Sequence, residues 1–339
     1  MIVNSNNEWD KLHDVVVGVS NFARFPTEDP LFSMQSITTK WKETSLPQGN
    51  FDKKVKTKAT ENLMDIVLRL EQYGIKTRVP AKLDYRETHN NYYWETDGMY
   101  GYCPRDVLLV VGNRVIETPM AYRSRWYEFQ GYEHIKRDAI KDGAVWFSAP
   151  KPALFDDDFK LDHDNNKMIL TEDYPIFDAA NVCRVNDDLL YLVSETGNYR
   201  GGEWLQQMLP DKTVHILDNL YSYAHIDSTI CPLKEGLVML NANRVNESNC
   251  PKVFKDWEKI YITEEEVVAQ YFKDYPYASK WIALNLLVIE PGLVLMESGQ
   301  PYIKKRLEAH GIEVIDTPMD MARTLGGGIH CCTLDLHRS

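Results

Sequence analysis

Near the end of the chain, Leu325-Gly326-Gly327-Gly328-Ile329-His330-Cys331-Cys332-Thr333 sets three glycines, an imidazole and two thiols side by side. Consecutive glycines cost backbone entropy, so their use points to a backbone that bends sharply or passes close to a ligand. A thiol nucleophile needs a histidine for proton transfer and an acid to orient it, and these partners can come from anywhere in the sequence. His225-Ile226-Asp227 is the best histidine candidate, because alternation along a strand would put His225 and Asp227 on one face. Phe177-Asp178-Ala179-Ala180 and Tyr102-Cys103-Pro104-Arg105-Asp106 each place a carboxylate just ahead of an apolar run. Taken singly, each of these has a plainer reading: a flexible loop with small buried cysteines, a histidine packed on an apolar face, acids that cap turns. Zinc on His330, Cys331, Cys332 and His337 is a poor alternative, since adjacent ligands do not easily share one tetrahedral ion and no Cys-x-x-Cys is present. Nor is there a phosphate-binding glycine loop.

Three carboxylates beside a thiol suit a cationic substrate. A guanidinium is planar with five donors and matches carboxylates in bidentate fashion. Asp106 and Asp227 are natural clamps that would expose its central carbon to Cys331. His225 would protonate the departing amine and later deprotonate the attacking group, with Asp178 orienting the imidazole.

These residues fall at equivalent places in a weak internal repeat. Apolar runs pair around short turns at Val107–Val111 with Val115–Ile116, Val182–Val193 around Asn186-Asp187-Asp188, Ile230–Leu240 around Lys234-Glu235-Gly236, and Leu286–Met296 around Glu290-Pro291-Gly292. Between them lie amphipathic helices. Leu63, Ile66, Val67 and Leu70 share one face ahead of a Gly74 cap and a strand at Ile75–Val79, and Ile303–His310 does the same ahead of Gly311 and Ile312–Ile315. Glu203–Leu209 before Val214–Leu217, and Val253–Lys259 before Ile260–Ile262, are read as further helix–strand pairs, with Val15–Val19 and Ile329–Leu336 as the remaining strands. The expected architecture is one α/β domain over residues 1–339, a propeller of strand-strand-helix-strand units, with residues from about 126 to 174 as an insertion.

Charge and composition exclude other classes. With 38 Lys+Arg against 50 Asp+Glu the net charge is −12, which argues against a nucleic-acid partner. No apolar run reaches the roughly 18 residues a membrane helix needs, and the opening residues lack the basic and apolar regions of a secretory signal. A cytosolic protein is expected, in which the six cysteines stay thiols and the Asn246-Glu247-Ser248 sequon is incidental.

Pro104-Arg-Asp106, Glu117 to Arg125, Ala149-Pro-Lys-Pro152, Phe177-Asp-Ala-Ala180, His225-Ile-Asp227, Ser279-Lys-Trp281 and Gly326-Gly-Gly-Ile-His-Cys331 follow one another over nearly the whole chain. In this order they closely resemble the amidinotransferase family that includes arginine:glycine, inosamine-phosphate and cyanotoxin-pathway amidinotransferases. The resemblance implies the pentein fold, a five-bladed α/β propeller with pseudo-fivefold repeats, and transfer of the amidino group of L-arginine to an amine with release of ornithine. It implies an amidino-cysteine intermediate and no metal or cofactor. Carried over by position, Cys331 resembles the nucleophile, His225 the acid/base, Asp178 its partner, Asp106 and Asp227 the guanidinium clamps, and Arg244 the group that binds the donor's carboxylate, with Ser279 also a substrate contact. Small-molecule substrates are the expected partners, and a homodimer is the assembly allowed for. Ser222-Tyr223-Ala224 stands where glycine-specific members carry Asn-Pro-Met, and Ala224 leaves room for an acceptor larger than glycine. The sequence ends at Ser339, where many members run on, which bears on closure over the substrate. Two other readings share the site: a deiminase-like hydrolase using the same cysteine, and a catalytically silent guanidine-binding protein.

Overall fold

Short, almost wholly buried apolar runs are the chain's main building material, and they fold as hairpins. The computed structural model describes residues 2–38, 48–164, 167–221, 223–269 and 277–339. Among these residues are five three-stranded sheets of one design, an antiparallel pair with a third strand added in parallel. Four follow in order: Leu108–Val111, Arg114–Glu117 and Val145–Ser148; Val182–Val185, Asp188–Leu192 and Thr213–Leu217; Ile230–Lys234, Leu237–Asn241 and Glu258–Ile262; and Leu287–Glu290, Leu293–Glu297 and Glu313–Thr317. The fifth joins the two ends of the chain, with Leu12–Val17 between Thr333–Arg338 and Lys76–Arg78. Tight reversals need a left-handed residue, and Gly112 (φ 58°) and Asn186 (φ 60°) supply it in the first two hairpins.

A parallel third strand requires a long crossover. Helices provide it at Lys53–Gln72, Glu133–Lys141, Tyr199–Met208 and Pro301–Ala309. In the first of these, Val55, Ala59, Leu63, Ile66 and Leu70 form the buried stripe.

Three expectations need correction. No helix spans Val253–Lys259; a single turn at Lys252–Phe254 leads to the strand at Glu258. The preceding Asn-rich segment closes on itself, Asn246 Oδ1 accepting from Ser248 N–H and Asn249 Oδ1 from Asn246 N–H, both at 2.8 Å, and Pro251 leaves too few residues to nucleate a helix. Residues 126 to 174 are not wholly an insertion, because Glu133–Lys141 and Val145–Ser148 complete the Leu108 sheet's unit; what lies outside it includes a hairpin, Phe159–Asp162 with Lys167–Leu170. The last strand starts at Thr333 rather than Ile329, so Cys331 lies in the turn before it.

That last shift reflects a general feature. Each hairpin after the chain's start is entered through one helical turn: Pro104–Val107, Ala179–Asn181, Ile226–Ser228 and Lys280–Leu284. These turns pack against each other in that order, the last also against the short helix Ala322–Leu325, and the first against Thr333–Arg338. Five sheets thereby bring their leading residues to one place.

Under these turns lies a buried ionic cluster. Arg184 donates to Glu8 Oε2 (2.7 Å) and Asp335 Oδ2 (2.6 Å), Arg338 to Asp335 Oδ2 (2.7 Å), and Arg105 bonds Asp335 and the Thr333 carbonyl (2.8 Å). Charges this buried are tolerable only as a fully paired set. Their pairing pins the N-terminal segment and the last strand to the hairpins at Val182 and Leu108.

Candidate active site

Cys331 is placed by its glycines. Gly326 ends the helix Ala322–Leu325 in the left-handed conformation (φ 78°), with Gly327 N–H returning to the Ala322 carbonyl at 3.0 Å. A Cβ on Gly327 would overlap the Cys103 sulfur, and one on Gly328 would lie 2.7 Å from Asn285 Cβ. Asn285 holds the next turn, its Oδ1 accepting from Cys331 N–H (2.9 Å) and its carbonyl from His330 N–H (3.2 Å). The Cys331 thiol is buried and donates to Asp227 Oδ2 at 3.2 Å. Its hydrogen bond with Cys103, burial, and the negative charges of Asp227 and Asp106 push its pKa well above the ordinary range, so the unliganded residue is a neutral thiol.

His225 and Asp227 do not share a strand face, contrary to the alternation argument. They flank and enter the single turn Ile226–Ser228, and the turn still aims both at the same cavity. His225 Nε2 lies 3.0 Å from Asp178 Oδ2, and its Nδ1 lies 3.6 Å from Asp106 Oδ1. Burial acts to lower its pKa, but Asp106, the Asp178 hydrogen bond and Asp227 outweigh it and push it up to about 9. The imidazole is therefore cationic at neutral pH. Asp178 is fully buried, and its Oδ1 accepts from Ala121 N–H at 3.0 Å. That N–H is presented by Met120, a buried residue with φ 62°, a strained conformation for a side chain of this kind.

Asp106 accepts a hydrogen bond on one oxygen only, the other facing the His225 imidazole. Its Oδ2 accepts from Arg125 Nη1 at 2.6 Å, while its buried Oδ1 has no hydrogen-bond partner among the described residues. Burial raises its pKa against the pull of His225 and Arg125. Arg125 in turn grips Glu128 (2.8 Å) and stands 4.9 Å from the Tyr100 ring centre; burial pushes Glu128 up to about 7 despite this partner. Asp227 behaves oppositely: burial would raise it, but the His330 hydrogen bond and charge, with His225, hold it at about 2.

Asp106, Ala224, His225, Asp227, Ser279 and Cys331 line one cavity, together with Arg125 and the tyrosines at 100, 122, 221, 223 and 277. Asp178 stands behind His225. Arg244 does not line the cavity; its guanidinium lies 3.6 Å from the ring centre of Tyr221 and donates to Ser228 Oγ (2.9 Å) and Thr229 Oγ1 (2.8 Å), so it reaches the site through two lining residues. Ser222 lies outside the described residues. The side chains weighed for zinc do not converge, since His337 packs on His13 with ring centres 4.8 Å apart. Sequence reasoning gave no role to Arg125, Glu128, Asn285, Glu8 or the His330 side chain. Of these only Arg125 and His330 carried a signal, as members of the runs Glu117 to Arg125 and Gly326 to Cys331.

The α/β fold is shared with DDAH from Pseudomonas aeruginosa, at a TM-score of 0.62 and 15% identity over 96% of this chain and 99% of that one. Two solved structures align far more closely: the inosamine-phosphate amidinotransferase StrB1 of Streptomyces griseus, at 0.93 and 40% identity over 99% and 97% of the two chains, and SxtG of Microseira wollei, an amidinotransferase in the saxitoxin biosynthetic pathway, at 0.90 and 30% over the same shares. No family model matches the chain. In sequence it is 41% identical to inosamine-phosphate amidinotransferase 1 of Streptomyces griseus, over all of this chain and 97% of that one. It is 32% identical to the mitochondrial glycine amidinotransferase of Xenopus tropicalis, over 98% of this chain and 82% of that one. The chain belongs to the amidinotransferase family, and its activity is that of a transferase. No helix among the described residues is long and apolar enough to cross a membrane.

Proposed function

We propose that the chain moves the amidino group of L-arginine to an acceptor amine larger than glycine, through an amidino-Cys331 intermediate, in a single domain whose five sheets are the blades of an α/β propeller. The mutual packing of the leading turns supports the propeller reading. The observation that carries the chemistry is the buried Oδ1 of Asp106, which faces the His225 imidazole at 3.6 Å but accepts no hydrogen bond from the described residues, on the cavity that also holds the Cys331–Asp227 pair. An acceptor oxygen left unsatisfied in the protein is costly, and a guanidinium N–H removes that cost.

A cation seated between Asp106 and Asp227 offsets the charges that keep Cys331 protonated. The sulfur attacks the guanidinium carbon, the bond from that carbon to the ornithine nitrogen breaks, and His225 gives that nitrogen its proton. The thiol proton restores the imidazolium, so the half-reaction balances: thiol and arginine become amidino-thioether and ornithine. A neutral amine then attacks the same carbon, surrenders a proton through His225, and returns the thiol. Ala224 on the cavity wall supports a bulky acceptor, as does the greater identity to the inosamine-phosphate enzymes than to the glycine enzyme.

Incubation with guanidino-labelled arginine and a panel of amines tests this. Ornithine release that depends on an amine, with label in the guanidino product, is expected. Citrulline formed without amine would establish hydrolysis instead, and absence of both turnover and a Cys331 adduct would leave only binding.

A further inference from the structure

Asp227 is the one clamp that touches the thiol, and it is held from behind. The Nδ1 atom of His330 lies 3.0 Å from Asp227 Oδ2, the same oxygen that accepts from Cys331 Sγ at 3.2 Å, so neither contact engages Oδ1. The opposite ring nitrogen, Nε2, lies 3.2 Å from Glu8 Oε2. Glu8 is itself immobilised, by Arg184 Nε (2.9 Å) and Nη2 (2.7 Å) and by Arg105 Nη1 (3.4 Å), and Arg105 Nε also bonds the His330 carbonyl (3.0 Å). Opposing charges keep Glu8 ionised well below the usual carboxylate range although burial acts the other way. His330, Glu8 and Asp227 also face a second, small hollow, which the Cys331 side chain does not line. The imidazole is thus a strut between an anchored carboxylate and a working one.

We propose that His330, braced by Glu8, is a positioning residue for amidino transfer: it fixes Asp227 so that Oδ2 faces the Cys331 sulfur while Oδ1 is left for the guanidinium. The inference rests on the reading of Cys331 as nucleophile and Asp227 as clamp. It gives the N-terminal segment a part in the chemistry, through a carboxylate 322 residues away from the imidazole it holds. Neither contact involves the acceptor amine directly, so the effect belongs to the arginine half-reaction.

The test uses the full chain, with ornithine release followed at saturating amine and folding checked by thermal melting. His330→Gln, whose amide reaches towards Glu8 but not Asp227, is expected to lower kcat/KM for arginine about tenfold to a hundredfold, the loss of a hydrogen bond to a charged group. His330→Asn puts an N–H near the Nδ1 position and is expected to recover to within about fivefold of the parent, because the bond to Asp227 is the one that matters. The ranking among acceptor amines should stay as in the parent. Equal losses in the two variants, or a loss in neither, would overturn the proposal. Should His330→Gln fail to fold, His330→Ala takes its place as the variant without a bond to Asp227, with the same loss of about tenfold to a hundredfold expected and a loss no greater than that of His330→Asn overturning the proposal. Cys331→Ala is run alongside: a dead variant with an unaffected His330→Gln sinks only the strut, whereas an active Cys331→Ala sinks the nucleophile reading itself.

Discussion

His225 Nε2 and Asp178 Oδ2 lie 3.0 Å apart, with Asp178 fully buried behind the imidazole and fixed from the other side by Ala121 N–H. With Asp106 and Asp227 also near, the imidazole's pKa stands at about 9. A general acid of this pKa works until it loses its proton, so kcat/KM for arginine is expected to fall as pH rises through about 9. Asp178→Asn removes one of the supporting charges. The alkaline limb should then move down towards the usual 6.5, with kcat reduced roughly a hundredfold or more. Stability follows the same linkage: a folded pKa raised above the unfolded value contributes fully below about 6.5, and that contribution is lost as pH rises through about 9. Melts between these limits should be flatter with pH in Asp178→Asn. A limb that stays in place in that variant would show that another group sets it.

The two adjacent thiols should separate cleanly. Cys331 donates to Asp227 on the cavity, whereas the Cys332 sulfur is wholly buried, donates to the Gly327 carbonyl at 3.8 Å and does not line the cavity. Cys331→Ala is expected to abolish turnover and to show no mass increase after trapping with arginine. Cys332→Ala should keep most of the activity. The reverse result would move the nucleophile to Cys332.

Space for the nucleophile loop is set by Cys103. A Cβ on Gly327 would overlap the Cys103 sulfur and stand 3.1 Å from Cys331 Cβ, so Gly327→Ala should displace the thiol and cost at least about tenfold in kcat. In a Cys103→Ala background the overlapping atom is gone. The same glycine substitution should cost clearly less there, and a double-mutant cycle on kcat measures the coupling. Equal cost in both backgrounds would place the damage in the backbone rather than at the sulfur.

The four hairpins were legible because their signals are local: buried apolar runs around turns such as Gly112 and Asn186. The helices capped by Gly74 and Gly311 read equally well, since apolar period and cap agree. Glu133–Lys141 was obscured by its charge, with Ile135 and Ala139 alone marking its buried side, and Val145–Ser148 by its half-exposed face. In the site, residue types next to a glycine run pointed to thiol chemistry. The geometry did not follow from spacing: His225 and Asp227 meet the cavity from a turn, not a strand. The pairing of long-range partners left no local trace, even where a residue lay in a recognisable run. Arg125 reaches Asp106 across 19 residues and Glu8 reaches His330 across 322, and only the packing of the leading turns brings such groups together.

Acceptor choice should respond to Ala224. Its methyl group is on the cavity wall between Tyr223 and His225, where a longer side chain would fill space the second substrate needs. Ala224→Met adds a flexible apolar chain at that wall without touching the thiol, the imidazole or the clamps. Filling a pocket by a methylene or two changes discrimination by about 10- to 200-fold, so kcat/KM for bulky amines should fall by that order while small amines change little. Arginine enters in the first half-reaction and should be released as ornithine at near-parent rates in a single turnover. The comparison to make is the ratio of kcat/KM for a cyclic hydroxylated amine to that for glycine, in parent and variant at one arginine concentration. A ratio that does not move would mean that the acceptor is selected elsewhere on the cavity, with the tyrosines at 122 and 277 the next walls to alter.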